Sequence, residues 1–237
     1  MRSAIPFLLL LLSGCGPSAP AGLPAGSTPS MEASGPATTA SSPAADPTVE
    51  GLLTLLEAPV GAADPASEDS EALRALFEAD QADRGPETLD PSTLPGRDAA
   101  RREQALALIA GGELHSAADH LHAAMLFQHG GTPEAYARAH ALAIAGLRLH
   151  PAAVPLRWLA AASLDRWLQA TGQPQVFGTQ SLREGNGPWS MEPYDPSPVT
   201  DAQRALADVP SLADQRAHLA QLNQGGRAPG MAPQGAP

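Results

Sequence analysis

The chain has a single cysteine, few aromatic residues and no stretch of alternating apolar and polar residues. Among its 237 residues only Cys15 carries a thiol, so no disulfide can form within the chain and stability must come from packing. Aromatic residues make up 4 % of the chain, and much of its apolar content is alanine, which favours helices. Strands that are buried on one face require alternation. These scarcities together predict an all-α protein.

Lysine is absent, and positive charge is scarce. The 14 basic residues are all arginine and face 25 acidic ones, which gives a formal net charge of -11. Proteins that bind nucleic acid neutralise phosphates with clustered positive charge. The sequence has no such cluster, so we exclude nucleic acid as a partner.

The first fifteen residues have the layout of an export signal. Met1 and Arg2 form a short positive start, and the apolar run 5–12 is too short to span a bilayer. The run ends in L-S-G-C at residues 12–15, which matches all four positions of a lipobox and resembles the signal of bacterial lipoproteins. This resemblance implies cleavage before Cys15, a diacylglycerol on its thiol and acylation of its new amino group. The alternative is an ordinary secretory signal with an incidental cysteine.

The lipoprotein resemblance also implies a location. Several acyl chains on Cys15 anchor a protein stably to a membrane, where one chain anchors it only marginally. We therefore expect a bacterial cell-envelope protein whose membrane contact is the lipid on Cys15. Gly16 stands where an aspartate would be an inner-membrane signal in Gram-negative lipoproteins. In such a host the resemblance implies the periplasmic face of the outer membrane.

Composition divides the chain into four parts. Pro, Ala, Ser, Gly and Thr dominate residues 16–47, which have too little apolar surface to offset the entropy of ordering. We predict a signal peptide at 1–14, a lipidated cysteine with a disordered tether at 15–47, a helical domain at 48–224 with its core at 97–222, and a disordered tail at 225–237.

Helix signals fill the predicted domain. Caps, glycine stops and apolar spacing predict helices at 50–58, 67–84, 98–110 with Asp98 as N-cap, 114–128, 133–149 and 154–171, with short helices from Thr200 and Ser211. The segment 133–151 resembles the second helix of a tetratricopeptide hairpin, but no second copy follows at the repeat spacing. We expect a compact irregular helical domain rather than a solenoid.

A long loop interrupts the helices at residues 172–199. It contains four glycines and five prolines, yet three of the aromatic residues, Phe177, Trp189 and Tyr194, lie within it. Because disordered segments are poor in aromatics, we predict an ordered loop that these rings dock onto the helices. Its side-chain hydrogen bonds should come from the polar residues Gln175, Thr179 and Gln180.

The neighbouring residues Asp165 and Arg166 lie on a helix that is otherwise almost entirely apolar. Successive helical residues point about 100° apart, so each should have a partner elsewhere in the fold. One interpretation is that both anchor the loop. The other is a pocket beneath the loop that also contains His129, which would act as acid or base while Asp165 orients it and Arg166 binds an anionic group. The ligand-binding candidates in that case are Gln128, Gln175, Thr179 and Gln180.

Histidines are concentrated between residues 115 and 150, which raises the question of a metal. His115, Asp119 and His122 share one helix side at a spacing that zinc ligands can use. No H-E-x-x-H motif or cysteine ligand accompanies them, and histidines beside an apolar face commonly satisfy local hydrogen bonds. We therefore predict no metal and no other cofactor. His129 ends its helix, where the dipole should raise its pKa.

Three short motifs recur together in one bacterial family. Gln128-His129, then Asp165-Arg166, then G-x-P-Q-x-F-G-T-Q at 172–180 resemble a helical domain of unknown function, over about 114–222. Members often carry an acidic residue after Q-H, where this chain has Gly130. The resemblance implies a helical domain with a packed loop and no particular activity.

Two functions remain open at the level of sequence. The favoured one is a lipid-anchored envelope protein whose helical domain binds or scaffolds another envelope protein. The alternative is an envelope enzyme or small-ligand protein that uses His129, Asp165, Arg166 and Gln180. No G-x-S-x-G motif occurs, which disfavours a hydrolase, and we expect a protein that is not an enzyme.

Overall fold

Helices dominate the structure, a computed structural model that describes residues 69–85 and 87–225. Two short strands pair antiparallel inside the long loop. The prediction of an all-α domain with a long ordered loop is confirmed for the described residues. In chain order the elements are α1 Glu71–Ala82, α2 Leu94–Ala110, α3 Ala117–Gln128, α4 Pro133–Leu149, α5 Val154–Ala170, β1 Leu182–Arg183, β2 Trp189–Ser190, α6 Asp201–Leu206 and α7 Leu212–Asn223.

Several sequence predictions lie outside the described residues. They are the signal peptide at 1–14, the lipidated Cys15 with the tether at 15–47, the helix at 50–58 and the tail from residue 226 onward.

Most helices begin where a capping residue predicts. The Thr132 side chain accepts a hydrogen bond from the Ala135 N–H, and Pro133 occupies the first turn of α4. Thr200 and Gln203 form a reciprocal capping box at the start of α6. The predicted start of α2 is wrong. This helix begins one turn earlier, at Leu94, so Asp98 lies inside it with its side chain buried.

The core consists of two neighbouring clusters in which small residues let helices approach closely. One contains Leu73 of α1 and Phe127 of α3, and the other contains Leu156 and Leu159 of α5. Helix α4 packs against both α3 and α5. Its Gly146 is required there, since an added Cβ would lie 2.8 Å from the His120 Cβ and from a Leu156 methyl. The alanine and glycine content therefore sets the spacing between these helices.

Within residues 69–85 and 87–225, no helix is both long enough and apolar enough to cross a bilayer.

Candidate functional site

The carboxylate of Asp165 is the point at which the long loop is fixed to α5. Asp165 is fully buried. One oxygen accepts hydrogen bonds from the Val176 and Phe177 N–H groups at 2.8 and 2.9 Å, and the other accepts from Thr179 N and Oγ1 at 2.9 and 2.8 Å. Four donors saturate the carboxylate. The expectation that Asp165 orients His129 is therefore wrong, because its oxygens are occupied by the loop.

Gln175 stabilises the loop from within. Its buried amide donates to the Gln180 carbonyl at 2.8 Å and to the Met191 carbonyl, and it accepts from the Gln180 N–H at 2.9 Å. Its main chain also bridges to the segment around Tyr194. Because these contacts use both amide atoms, the structure places Gln175 and Thr179 in the architecture of the loop rather than on a ligand surface.

A second anchor of the loop, Arg204, was not found from the sequence. It is 2 % exposed and donates to the carbonyls of Val199, Val176 and Pro196 at 2.6, 3.3 and 3.2 Å. It also donates to the Tyr194 hydroxyl at 3.1 Å. The rings of the loop are partly buried, and the Tyr194 hydroxyl also donates to Gln215 of α7 at 3.0 Å, so polar contacts hold the loop together with this aromatic side chain. The sequence does place an arginine on a short helix directly after a proline-rich loop, and this position could have indicated a side chain that binds the loop carbonyls.

Arg166 connects the loop to the end of α3. Its Nε donates to Gln180 Oε1 at 2.9 Å, and its Nη1 donates to the Gln128 carbonyl at 3.1 Å. The Tyr136 ring centroid lies 5.8 Å from the guanidinium carbon. Burial lowers the pKa of Arg166, and the Tyr136 hydroxyl opposes that shift. Among the described residues no carboxylate forms an ion pair with this guanidinium.

His129 has a carboxylate partner, but that partner is Asp80 from α1. His129 Nδ1 lies 3.1 and 3.2 Å from the two Asp80 oxygens, and both side chains are almost wholly buried. Arg84 holds Asp80 from the other side at 2.6 Å and also pairs with Asp98 at 2.6 Å. The sequence gives little sign of this pair, because 49 residues separate its members and Asp80 belongs to none of the motifs.

Electrostatics make His129 a neutral base with an oriented ring. Burial lowers its pKa and outweighs the opposing effect of Asp80, while Arg84 and Arg166 lower it further. The expectation that the helix dipole raises the pKa of His129 is therefore wrong. Burial raises the pKa of Asp80, but His129 and Arg84 more than offset this, so Asp80 is ionised at neutral pH. Neutral His129 then donates through Nδ1 and leaves Nε2 as an acceptor.

Gln128 is the remaining polar group at this junction. Its side chain is 3 % exposed, and its Oε1 has no hydrogen-bond partner. The main-chain carbonyl of Gln128 accepts a hydrogen bond from Arg166 Nη1, and Arg166 Nε donates to Gln180 Oε1. The structure thus brings together Gln128, His129, Arg166 and Gln180, with Asp80 as an addition.

The histidines and aspartate considered for zinc are engaged in local contacts. Asp119 accepts from the N–H groups of Ser70, His115 and Ser116 at 2.7, 3.0 and 3.0 Å, and the bond from Ser116 is part of the capping box of α3. His122 stacks on Phe77 with ring centroids 4.7 Å apart. No group of three or more metal-ligating side chains is arranged to hold an ion within the described ranges.

The acidic residue that often follows Q-H in the resembled family could not be accommodated here without a shift in the backbone or its neighbours. A Cβ at Gly130 would collide with the Ala135 methyl and lie 2.9 Å from the Phe127 carbonyl oxygen.

Comparison of the chain with protein-family models gives no match, and comparisons with curated proteins and with solved structures give none either.

Proposed function

We propose that the chain is a lipid-anchored cell-envelope lipoprotein whose helical domain binds another envelope component. The observation that carries this proposal is the complete lipobox at residues 12–15, which ends in the only cysteine of the chain. In a Gram-negative host the anchor would place the domain on the periplasmic face of the outer membrane.

The described domain supports binding more strongly than catalysis through the Asp165 motif. Asp165, Gln175 and Thr179 use their polar atoms to hold the loop. A loop fixed in this way presents a rigid surface, and rigid surfaces lose little entropy when a partner binds. An envelope protein is the partner that fits an anchored scaffold of this kind.

Acylation of Cys15 is tested by metabolic labelling of the full chain in a bacterial host with an alkyne fatty acid. For the chain that retains Cys15 we expect incorporation of the label, recovery in the membrane fraction and an acylated N-terminal peptide by mass spectrometry. Cys15→Ser should remove the label. Cleavage at another site without acylation would show an ordinary secretory signal and overturn the anchor.

The binding module is tested by crosslinking in intact envelopes of cells that contain the correctly localised chain. A specific crosslinked envelope protein, absent when the domain 69–225 is deleted from the anchored chain, is the expected result. A clean negative with full acylation would contradict the scaffold proposal.

A second candidate is a small-ligand site or enzyme, favoured by the contact between His129 and Asp80. In this version His129 Nε2 acts as base and Asp80 fixes the ring, the role first expected of Asp165. Periplasmic metabolites incubated with the purified chain should change in composition, and His129→Gln should abolish the change. Identical profiles with both proteins would exclude catalysis by His129.

A further inference from the structure

We propose that Arg166, Gln128 and His129 form a binding site for the oxyanion group, carboxylate or phosphate, of a small ligand. The inference deepens the second candidate function and does not depend on the lipid anchor.

The first reason is the positive charge that the fold leaves at Arg166. Arg84 pairs with Asp80 and Asp98, and Arg101 pairs with Asp83, whereas Arg166 has no carboxylate partner among the described residues; Arg102, which contacts the His129 carbonyl, shares this lack. Arg166 is partly buried and receives only neutral acceptors from the described residues. A partly buried cation in a low-dielectric setting attracts an anion more strongly than an exposed one does.

The second reason is the geometry of the free donors. A guanidinium has five N–H groups in a rigid plane, and the bonds to Gln180 and Gln128 use two of them. One hydrogen bond with the Tyr136 hydroxyl uses a third. Two N–H groups then remain, on a plane that is already fixed by contacts from two sides. Such a fork matches the spacing of two oxygens on a carboxylate or phosphate.

The third reason is an unpartnered side-chain oxygen on Gln128, the residue whose main-chain carbonyl accepts a hydrogen bond from Arg166. Gln128 is only 3 % exposed, and its side-chain Oε1 makes no hydrogen bond. A buried polar atom without a partner is costly, and such atoms concentrate where a ligand or water completes the arrangement. The amide orientation is interchangeable, so its NH₂ can donate to an anion.

His129 supplies a response to the anion. Its ring faces Asp80 of α1, Arg84 just after that helix and Arg166 of α5. Its carbonyl accepts from Arg102 of α2 at 3.4 Å. An anion beside Arg166 cancels part of the positive potential that lowers the pKa of His129. Binding therefore raises that pKa and is accompanied by proton uptake, so affinity increases as the pH falls below 6.5, where the imidazole begins to protonate.

The test uses the full chain in detergent micelles, titrated with inorganic phosphate and separately with acetate at constant ionic strength. The readout is the ring resonance of His129 in NMR spectra, assigned by its absence in His129→Gln. We expect a saturable shift with at least one probe, and a stronger response at lower pH. Saturation by phosphate alone assigns a phosphate ligand, and saturation by acetate alone assigns a carboxylate.

The decisive variants are Arg166→Gln and Arg166→Lys, with Arg183→Gln as the matched control. Arg183 is exposed and contacts the Trp189 ring at the surface of the loop. Arg166→Gln should weaken binding by about tenfold or more, whereas the control should leave it unchanged. If Arg166→Gln fails to fold, Arg166→Lys decides, because it keeps the charge and loses the fork. Unchanged affinity in the folded variant, or no saturable shift with either probe, overturns the proposal.

Failure of this experiment leaves the lipoprotein proposal intact, because acylation of Cys15 is measured independently. Failure of acylation likewise leaves the anion site standing.

Discussion

Asp165 illustrates how one side chain can fix the conformation of a long connection. The loop at 172–199 has no regular structure apart from a two-residue ladder and a single main-chain bridge between Gln175 and Tyr194. Main-chain N–H groups of the loop converge on the carboxylate, and charge-assisted hydrogen bonds of this kind are about twice as strong as neutral ones. The residue that the sequence marked as a candidate for catalysis is used here for architecture.

Replacement of Asp165 by asparagine should destabilise the domain by about 2–4 kcal/mol, because an NH₂ group would face N–H donors that need an acceptor. The measurement is the free energy of unfolding in urea. Asp195→Asn is the matched control, since Asp195 also accepts from a backbone N–H but lies exposed at the surface. We expect little change for the control. Equal losses in both variants would contradict the anchoring role.

Two glycines allow strain and packing to be separated. Gly172 and Gly178 have positive φ of 78° and 79°, but only a Cβ at Gly178 would meet neighbours, including the Tyr194 ring at 2.8 Å. Gly172→Ala should cost about 1–2 kcal/mol from backbone strain alone. Gly178→Ala should cost about 2–4 kcal/mol, because overpacking is added. Unfolding free energies within error of one another would argue against a tightly packed loop.

At the scale of the element, the sequence predicted those helix starts that depend on neighbouring residues. The starts of α4 and α6 follow from Thr132-Pro133 and from the pair Thr200 and Gln203, whose capping partners lie within three residues. The start of α2 was missed because Asp98 looks like a cap, while its carboxylate pairs with Arg84, which follows α1. The same limitation applied to Asp80, since only tertiary contact reveals its pairing with His129.

Histidines on α3 and α4 should make the domain sensitive to acid. Burial lowers the pKa of His122 and His140 below the usual value of about 6.5. The unfolded chain therefore binds protons more readily than the folded one, and stability is present above that value and lost as the pH falls below it. We expect the free energy of unfolding to decrease between about pH 7 and pH 5.5.

His140 provides the specific test of this pH dependence. Its Nδ1 lies 2.9 Å from the Ala160 carbonyl oxygen, which links α4 to α5. His140→Gln should lose less stability on acidification than the unmodified chain does. The exposed His150, changed to Gln, is the control and should follow the unmodified chain. A slope unaltered by His140→Gln would assign the acid sensitivity to other groups.

At the scale of the whole molecule, α1 completes both the core and the candidate site. Leu73 is fully buried in the cluster with Phe127, and Asp80 reaches His129. A helix whose sequence reads as acidic and exposed thus contributes two central residues. Its amphipathic pattern indicated one apolar stripe. The role of buried Asp80 could not be predicted in this way, because its partner His129 follows α3 and its other partner, Arg84, also binds Asp98 of α2.

Truncation tests this contribution directly. A chain that starts at residue 66 keeps α1 and should unfold cooperatively, whereas one that starts at residue 91 lacks Leu73 and Asp80. We expect the shorter chain to be less stable by about 4 kcal/mol or more, from the lost core contact and the loss of Arg84 as a partner of buried Asp98. Circular dichroism during urea unfolding measures the difference. Equal stability would show that α1 is dispensable.

The contact between Asp80 and His129 has a consequence for evolution. Since one position sets the protonation and ring orientation of the other, substitutions at the two should not be independent across related chains. We expect an alignment to show coevolution of positions 80 and 129 across the 49 residues that separate them, with loss of the acid accompanied by loss of the imidazole. Such paired substitution would show that α1 and the Gln128-His129 motif evolve together as one contact.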